Sequence, residues 1–248
     1  MTGARPGRTL ASLLGEVRTR GYVTSGGRVE GRGAPAVFSA AMSFRVLDPY
    51  PRRPHLEFFR RLPNPFYSFT FELDATRVRA RARELGGSTY AALVWSYHRA
   101  LSGIDAFRTR LQGEQVVLYP TLRVGMTVPA PERTFTFATL DWDPDAGRFL
   151  ALARERMAAA SSRVDLSGGS APDYAYYTAL PGVPFTSFAH VALPDPTAGQ
   201  PEAAFGRFRM EGERSFVPIG VLVNHLYVDG ADLGELCAAA RDSFERAF

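Results

Sequence analysis

Apolar residues run almost unbroken over positions 216–223, F-V-P-I-G-V-L-V, and end on Asn224-His225. A continuous Val/Ile/Leu run with proline only near its start predicts a strand buried on both faces. Residues 66–73 behave differently: aromatic and polar residues alternate, as in a strand with one buried face. Further strand-like runs cover 115–119, 123–128, 135–140, 174–179 and 185–193. Residues 205–210 join the long run through Glu211-Gly212-Glu213, a hairpin. Helical spacing marks 75–85, with Asp74 as its cap, and Gly86-Gly87 closes it. Ser88 starts a more apolar helix over 89–101, and further helices cover 148–161 and 231–248. A short amphipathic turn or helix at 55–61 carries Phe58 and Phe59, downstream of strand-like Val37, Phe38, Phe44 and Val46, with Pro49, Pro51 and Pro54 between.

These elements predict an α+β fold with a mixed sheet, because strands outnumber helices and are joined irregularly. A length of 248 residues suits one sizeable domain, predicted over 37–248. Residues 1–36, rich in Gly and Arg with one amphipathic patch at 10–17, read as an appended arm.

Composition narrows the chemistry. Hydrophobic content of 46% with 12% aromatics excludes wholesale disorder. Cys237, the single cysteine, excludes a disulfide scaffold, a Cys-rich zinc site and an iron–sulfur centre, and its place in the last helix predicts core packing. All 29 basic residues are arginine. Without lysine there is no Walker A loop, no pyridoxal Schiff base and no kinase-type lysine. The formal charge of +4 is mild and the arginines alternate with acids, so no nucleic-acid face is expected. No stretch approaches a membrane span and the start lacks an apolar signal core, which predicts a cytoplasmic protein without membrane attachment.

His225 is the candidate for chemistry. An imidazole at the rigid end of a core strand is placed for proton transfer near neutral pH, and the competing reading is a satisfied core histidine. Asp229-Gly230 follows as a predicted sharp exit, where glycine accepts backbone angles that other residues resist.

The order of motifs resembles the chloramphenicol acetyltransferase family from about Phe44 to the end. N-H-L-Y-V-D-G at 224–230 is similar to its H-H-A-x-x-D-G. E-G-E-R-S-F-V-P at 211–218, T-A-L-P-G-V-P-F-T-S-F at 178–188 and R-R-P-H-L-E-F-F at 52–59 match three further family patterns in order and spacing. The resemblance implies a two-layer sandwich of a mixed sheet with helices, assembled as a homotrimer with active sites between subunits. It implies acetyl transfer from acetyl-CoA, a cosubstrate rather than a bound cofactor, to a hydroxyl of a small molecule, with no metal. His225 would then be the general base, and Thr178 of a neighbouring subunit would stand where the family's serine donates to the oxyanion. Asp229 and Arg52 would pair as structural supports. Phe58, Phe59, Tyr67, Phe135 and Phe188 match acceptor-binding positions. Phe208 stands where an aromatic stacks on the adenine of CoA, with Arg207, Arg209 and Arg214 either meeting its phosphates or merely solvated.

Departures concentrate in the acceptor wall. Thr178 replaces serine, Ala204 a threonine, Tyr176 an asparagine, Gly182 a tryptophan, and Asn224 the first histidine of the pair. His190 replaces a leucine, as either a hydrogen-bonding wall residue or a buried structural histidine. The changes point to an acceptor other than, or beside, chloramphenicol. Two further readings stay open: an acyltransferase drawing on a carrier-protein thioester, and a non-catalytic binding protein on the same fold.

Overall fold

The computed structural model describes residues 43–167 and 171–248. The expected arm over 1–36, its patch at 10–17, and Val37 and Phe38 lie outside the described residues. In chain order the elements are β1 (Arg45–Val46), α1 (Arg53–Phe59), β2 (Phe66–Asp74), α2 (Thr76–Glu84), α3 (Thr89–Ser102), α4 (Asp105–Arg108), β3 (Thr109–Gln112) and β4 (Gln115–Leu118). There follow β5 (Arg123–Ala130), β6 (Thr134–Leu140), α5 (Ala146–Ala160), β7 (Tyr174–Ala179), β8 (Glu202–Phe205), β9 (Arg209–Glu211), β10 (Arg214–Asn224) and α6 (Gly230–Arg246).

The main sheet runs β2-β10-β8-β7-β5-β6, with β9 also paired to β10, and β1-β4-β3 form a separate small sheet. β7 lies parallel to β5 and β8, while the other main-sheet pairs are antiparallel. The fold is therefore α+β with a mixed sheet. β10 is its spine, matched to β2 from Phe216↔Asp74 to Asn224↔Phe66 and to β8 from Ile219↔Phe205 to Leu222↔Glu202. Every residue from Val217 to Asn224 is buried, as the unbroken apolar run requires.

Helices cover one face of this sheet. Phe71, Tyr177 and Phe205 turn toward it and meet Tyr97 of α3 at ring-centroid distances of 6.5, 6.2 and 5.9 Å. His98 of α3 is buried there. Its Nε2–H donates to the Leu122 carbonyl at 3.1 Å and its Nδ1 accepts from the Tyr177 hydroxyl at 2.8 Å. Burial pulls its pKa down to about 3, so it is a neutral core group. Two helix ends follow the sequence: Gly86 takes φ +59° after α2, and Ser88 caps α3. Asp74, expected as the cap of α2, instead ends β2. The N-cap is Ala75, and Asp74 Oδ1 accepts from the Thr76 amide at 2.9 Å as an Asx turn ahead of the helix.

The opposite face carries a row of small residues, Thr178, Ala204, Gly220 and Thr70, aligned across β7, β8, β10 and β2. The segment expected as a strand over 185–193 crosses this face as irregular chain instead. It cannot join a ladder there, because β10 is already paired with β2 and β8. Side chains hold it: the Phe188 amide donates to Thr70 Oγ1 at 3.0 Å, and His190 Nε2 to the Gly220 carbonyl at 3.1 Å. The contact is so close that a Cβ on Gly220 would lie 2.6 Å from the Phe188 Cβ.

Two other expectations need correction, and one strand was not foreseen. The strand over 205–210 splits, with β8 ending at Phe205 and β9 starting at Arg209, because Gly206 turns away to donate to the Pro218 carbonyl at 2.9 Å. Cys237 is only half-buried, at the rim of the core. β3 has no apolar alternation to announce it because its buried centre is Arg110. That guanidinium satisfies itself on the carbonyls of Pro172, Phe107 and Thr109 at 2.7, 2.9 and 2.8 Å, and burial lowers its pKa to about 10, so it stays charged.

Gly220→Ala must push Phe188 off the sheet, an overpacking cost of about 1–3 kcal/mol. Urea denaturation should show a lower midpoint with unchanged slope; a midpoint equal to wild type would contradict the close crossing.

Candidate active site

β10 delivers its last residue, Asn224, into a turn that is fastened at each step. The His225 amide donates to the Pro65 carbonyl at 3.0 Å, and Asn224 Oδ1 accepts from the Leu226 amide at 2.9 Å. Asn224 Nδ2 reaches out to the Pro196 and Ala198 carbonyls, both at 2.8 Å, tying the 194–199 loop to the turn. The Tyr67 hydroxyl donates to the Val228 carbonyl at 3.2 Å, and burial pushes its pKa up to about 12, so it remains a donor.

The His225 ring is clamped between aromatics. Phe59 of α1 stacks on it at 3.9 Å and 11°, and Tyr67 of β2 leans on it at 4.8 Å. Phe58, itself 61% exposed, packs edge-on against Phe59 at 5.1 Å. His225 Nδ1 is enclosed without a hydrogen-bond partner among the described residues. Such an orphan costs stability and persists mainly where function requires it. Nε2 is not among the enclosed, unpartnered atoms.

Arg52 braces the turn from below. Its NH1 donates to the Tyr227 carbonyl at 2.6 Å and to Asp232 Oδ2 at 2.9 Å. NH2 sits 3.0 Å from Asp229 Oδ2, an ion pair held by charge rather than by an aligned hydrogen bond. The expected Arg52–Asp229 pairing is present, and sequence reading missed Asp232, which shares the guanidinium. Asp229 and Asp232 form a capping box at the start of α6, with Asp229 Oδ1 accepting from Ala231 and Asp232 Oδ2 from the Asp229 amide at 2.8 Å. The Asp-spaced-by-three signature was legible in the sequence once the helix start was known. Gly230 needs correcting: it is the first residue of α6, it is not among the glycines with positive φ, and no special backbone angle is used there.

The remaining expected residues gather elsewhere. A cavity of about 600 Å³ on the helix-free face of the sheet is lined by Phe135, Tyr176, Thr178, Phe188, His190 and Glu202, among others. Ala204 does not line it. It is 0% exposed, sealed within the row of small residues, and Glu202 and Ala203 beside it reach the cavity instead. Thr178 Oγ1 lies 2.6 Å from Thr127 Oγ1, which fixes the rotamer of the hydroxyl. His225, Phe58, Phe59 and Tyr67 are absent from this lining. Thr178 aligns through Ala204 with Gly220, five residues before His225. At about 3.3 Å per residue along a strand and 4.8 Å between strands, the two groups are roughly 15–20 Å apart in one chain.

Phe208 lines a third region, a cavity of about 650 Å³ with Glu72, Phe185, Arg207 and Arg209. The Arg79 guanidinium lies 4.5 Å over its ring. Arg209 is already paired with Glu72 and Glu211, and Arg214 with Asp74, so of the three expected phosphate contacts only Arg207 lacks an ion pair among the described residues. No group of three His, Cys, Asp or Glu able to hold a metal occurs among the described residues, and no helix there is long and apolar enough to cross a membrane.

The site is thus set by a mixed sheet with helices on one face and an aromatic-clamped histidine just past the end of its longest strand, β10. The chloramphenicol acetyltransferase family profile matches residues 42–239, and the chain belongs to that family. A chloramphenicol acetyltransferase of Streptomyces acrimycini is 30% identical over 188 residues, 74% of this chain and 86% of that protein. Chloramphenicol acetyltransferase 2 of Escherichia coli is 25% identical, over 74% of this chain and 88% of its own. Among solved structures, a chloramphenicol acetyltransferase superposes with a TM-score of 0.75 at 22% identity, over 82% of this chain and all (100%) of that one, which shows a shared fold.

Partial burial works to raise the Asp229 pKa, but the Ala231 amide and Arg52 outweigh it and hold the carboxyl below its ordinary value. A carboxyl depressed in the folded state contributes stability above its unfolded pKa and loses it as pH falls through the folded value. The stability gap between wild type and Asp229→Asn should therefore stay constant from about pH 8 to about 5 and shrink below about pH 4. Urea midpoints across that range measure it, and a gap indifferent to pH would refute the ion-pair assignment.

Proposed function

We propose that this protein transfers an acetyl group from acetyl-CoA to a hydroxyl of a small molecule of the chloramphenicol type, with His225 as general base. The observation that carries the reading is the clamped His225 ring with Nδ1 enclosed and Nε2 left to act. Nε2 takes the acceptor's hydroxyl proton as its oxygen forms a bond to the thioester carbonyl carbon. The oxyanion so formed accepts a hydrogen bond from the Thr178 hydroxyl of a neighbouring copy, oriented by Thr127. Collapse breaks the carbon–sulfur bond, and the imidazolium returns its proton to the CoA thiolate. Phe59 and Tyr67 stabilise the transient imidazolium with their ring faces.

The separation of His225 from Thr178 supports a homotrimer in which each site takes the histidine of one copy and the cavity of the next. Arg52 and Asp229 hold the turn and move no proton. Phe208 offers a stacking face for the adenine of CoA, with Arg79 and Arg207 near its phosphates. We read the protein as cytoplasmic, where acetyl-CoA is available, and its activity as one that would inactivate an antibiotic alcohol. The arm over 1–36 we read as an appendage outside this chemistry.

Thiol release from acetyl-CoA with chloramphenicol as acceptor tests the assignment. His225→Ala should lower kcat by about 10²–10⁴-fold. Thr178→Val should lower it by about 10²–10³-fold, with Thr178→Ser restoring most of the rate. Undiminished turnover in His225→Ala would refute the mechanism.

A further inference from the structure

The wall of the 600 Å³ cavity is aromatic at Phe135, Tyr176 and Phe188, yet it contains one carboxylate. Glu202 stands opposite Tyr176 on β7 and opposite Leu222 on β10, so the ladder fixes where its side chain rises. His190, on the crossing segment, secures it. The Gly220 carbonyl and an ionised Glu202 carboxylate can both only accept. Nε2, 3.1 Å from the carbonyl, and Nδ1, 3.1 Å from Glu202 Oε2, must therefore each carry a hydrogen, and the contact is an imidazolium–carboxylate ion pair. The imidazole is 7% exposed and stands edge-on to Phe188 at 4.8 Å, so both of its nitrogens are committed to the protein. Glu202 keeps 20% of its side chain exposed, and the His190 contact engages Oε2, leaving Oε1 outside that ion pair. The open acceptor in the cavity is therefore an anchored carboxylate oxygen.

A carboxylate among aromatic faces loses hydration whenever a ligand fills the space, and a neutral ligand returns nothing for that loss. A protonated amine returns a charge-assisted hydrogen bond to the carboxylate and the attraction of the ring faces. We propose that the acceptor is an aromatic amino alcohol whose ammonium group is recognised by Glu202, held in place by His190. The inference deepens the acetyl-transfer reading and rests on it for the identity of the cavity as the acceptor site. Glu202 is a specificity-determining residue here, and His190 a positioning residue acting through it.

Two matched acceptors test this: chloramphenicol, and the primary amine left when its dichloroacetyl group is removed. They share the ring and hydroxyls and differ by an ammonium in place of an amide. Calorimetric Kd and kcat/KM for thiol release are measured for each on the full-length protein. Wild type should favour the amine by at least about tenfold in both, the scale of one hydrogen bond to a charged group. Glu202→Gln should erase that preference, weakening the amine about tenfold or more and leaving chloramphenicol bound at least as tightly as in wild type. A wild type that favours chloramphenicol overturns the proposal, and this comparison stands even if Glu202→Gln fails to fold. A preference for the amine in binding without turnover of either molecule supports the recognition and sinks the acetyl transfer. Turnover of both without preference does the reverse.

Discussion

His225 can be held still because the strand before it has no freedom left. β10 is hydrogen-bonded to β2 as far as Asn224, and the next amide, that of His225 itself, is taken by Pro65. A side chain on a free loop would lose about 1–2 kcal/mol of backbone entropy per residue on ordering at the moment of reaction. Here that ordering is completed on folding, by Arg52, Asn224 and Tyr67 acting on carbonyls and amides of the turn. Phe59 and Tyr67 then fix the ring plane. The same strand defines the other half of the site: its pairing with β8 sets Gly220 beside Ala204, and the lack of a side chain at Gly220 lets Phe188 descend onto the sheet.

The two faces of the main sheet divide the labour. One is covered by helices and closed by groups such as the neutral His98. The other stays open enough to hold the aromatic cavity with Thr178 and Glu202. The turn bearing His225 belongs to the strand end rather than to that cavity. In our account one chain carries the general base and the oxyanion donor in separate places, and a second copy brings them together.

Much of this was legible because burial on both faces writes itself directly into β10 as an apolar run, and alternation writes β2. The histidine, its supporting Asp229 and Arg52, and the aromatic positions were readable from motif spacing. What the sequence hid were places where a side chain replaces a backbone partner. Residues 185–193 look like a strand because they are apolar, yet they cross the face of β10, which is already paired on both sides, and are held by Thr70 and His190. β3 was masked by Arg110, a charge satisfied on carbonyls that no local pattern announces. Glu202 went unnoticed because its significance depends on His190, twelve residues away and joined to it only in the folded sheet.

The central claim is that histidine and oxyanion donor come from different copies, and a hybrid experiment tests it most directly. His225→Ala and Thr178→Val, each nearly inactive alone, are mixed, unfolded together and refolded. If each site draws one group from each of two neighbours, random assembly gives about a quarter of the sites both intact groups, and about a quarter of wild-type activity returns. If both groups act within one chain, the mixture stays as inactive as its parts, and the account fails.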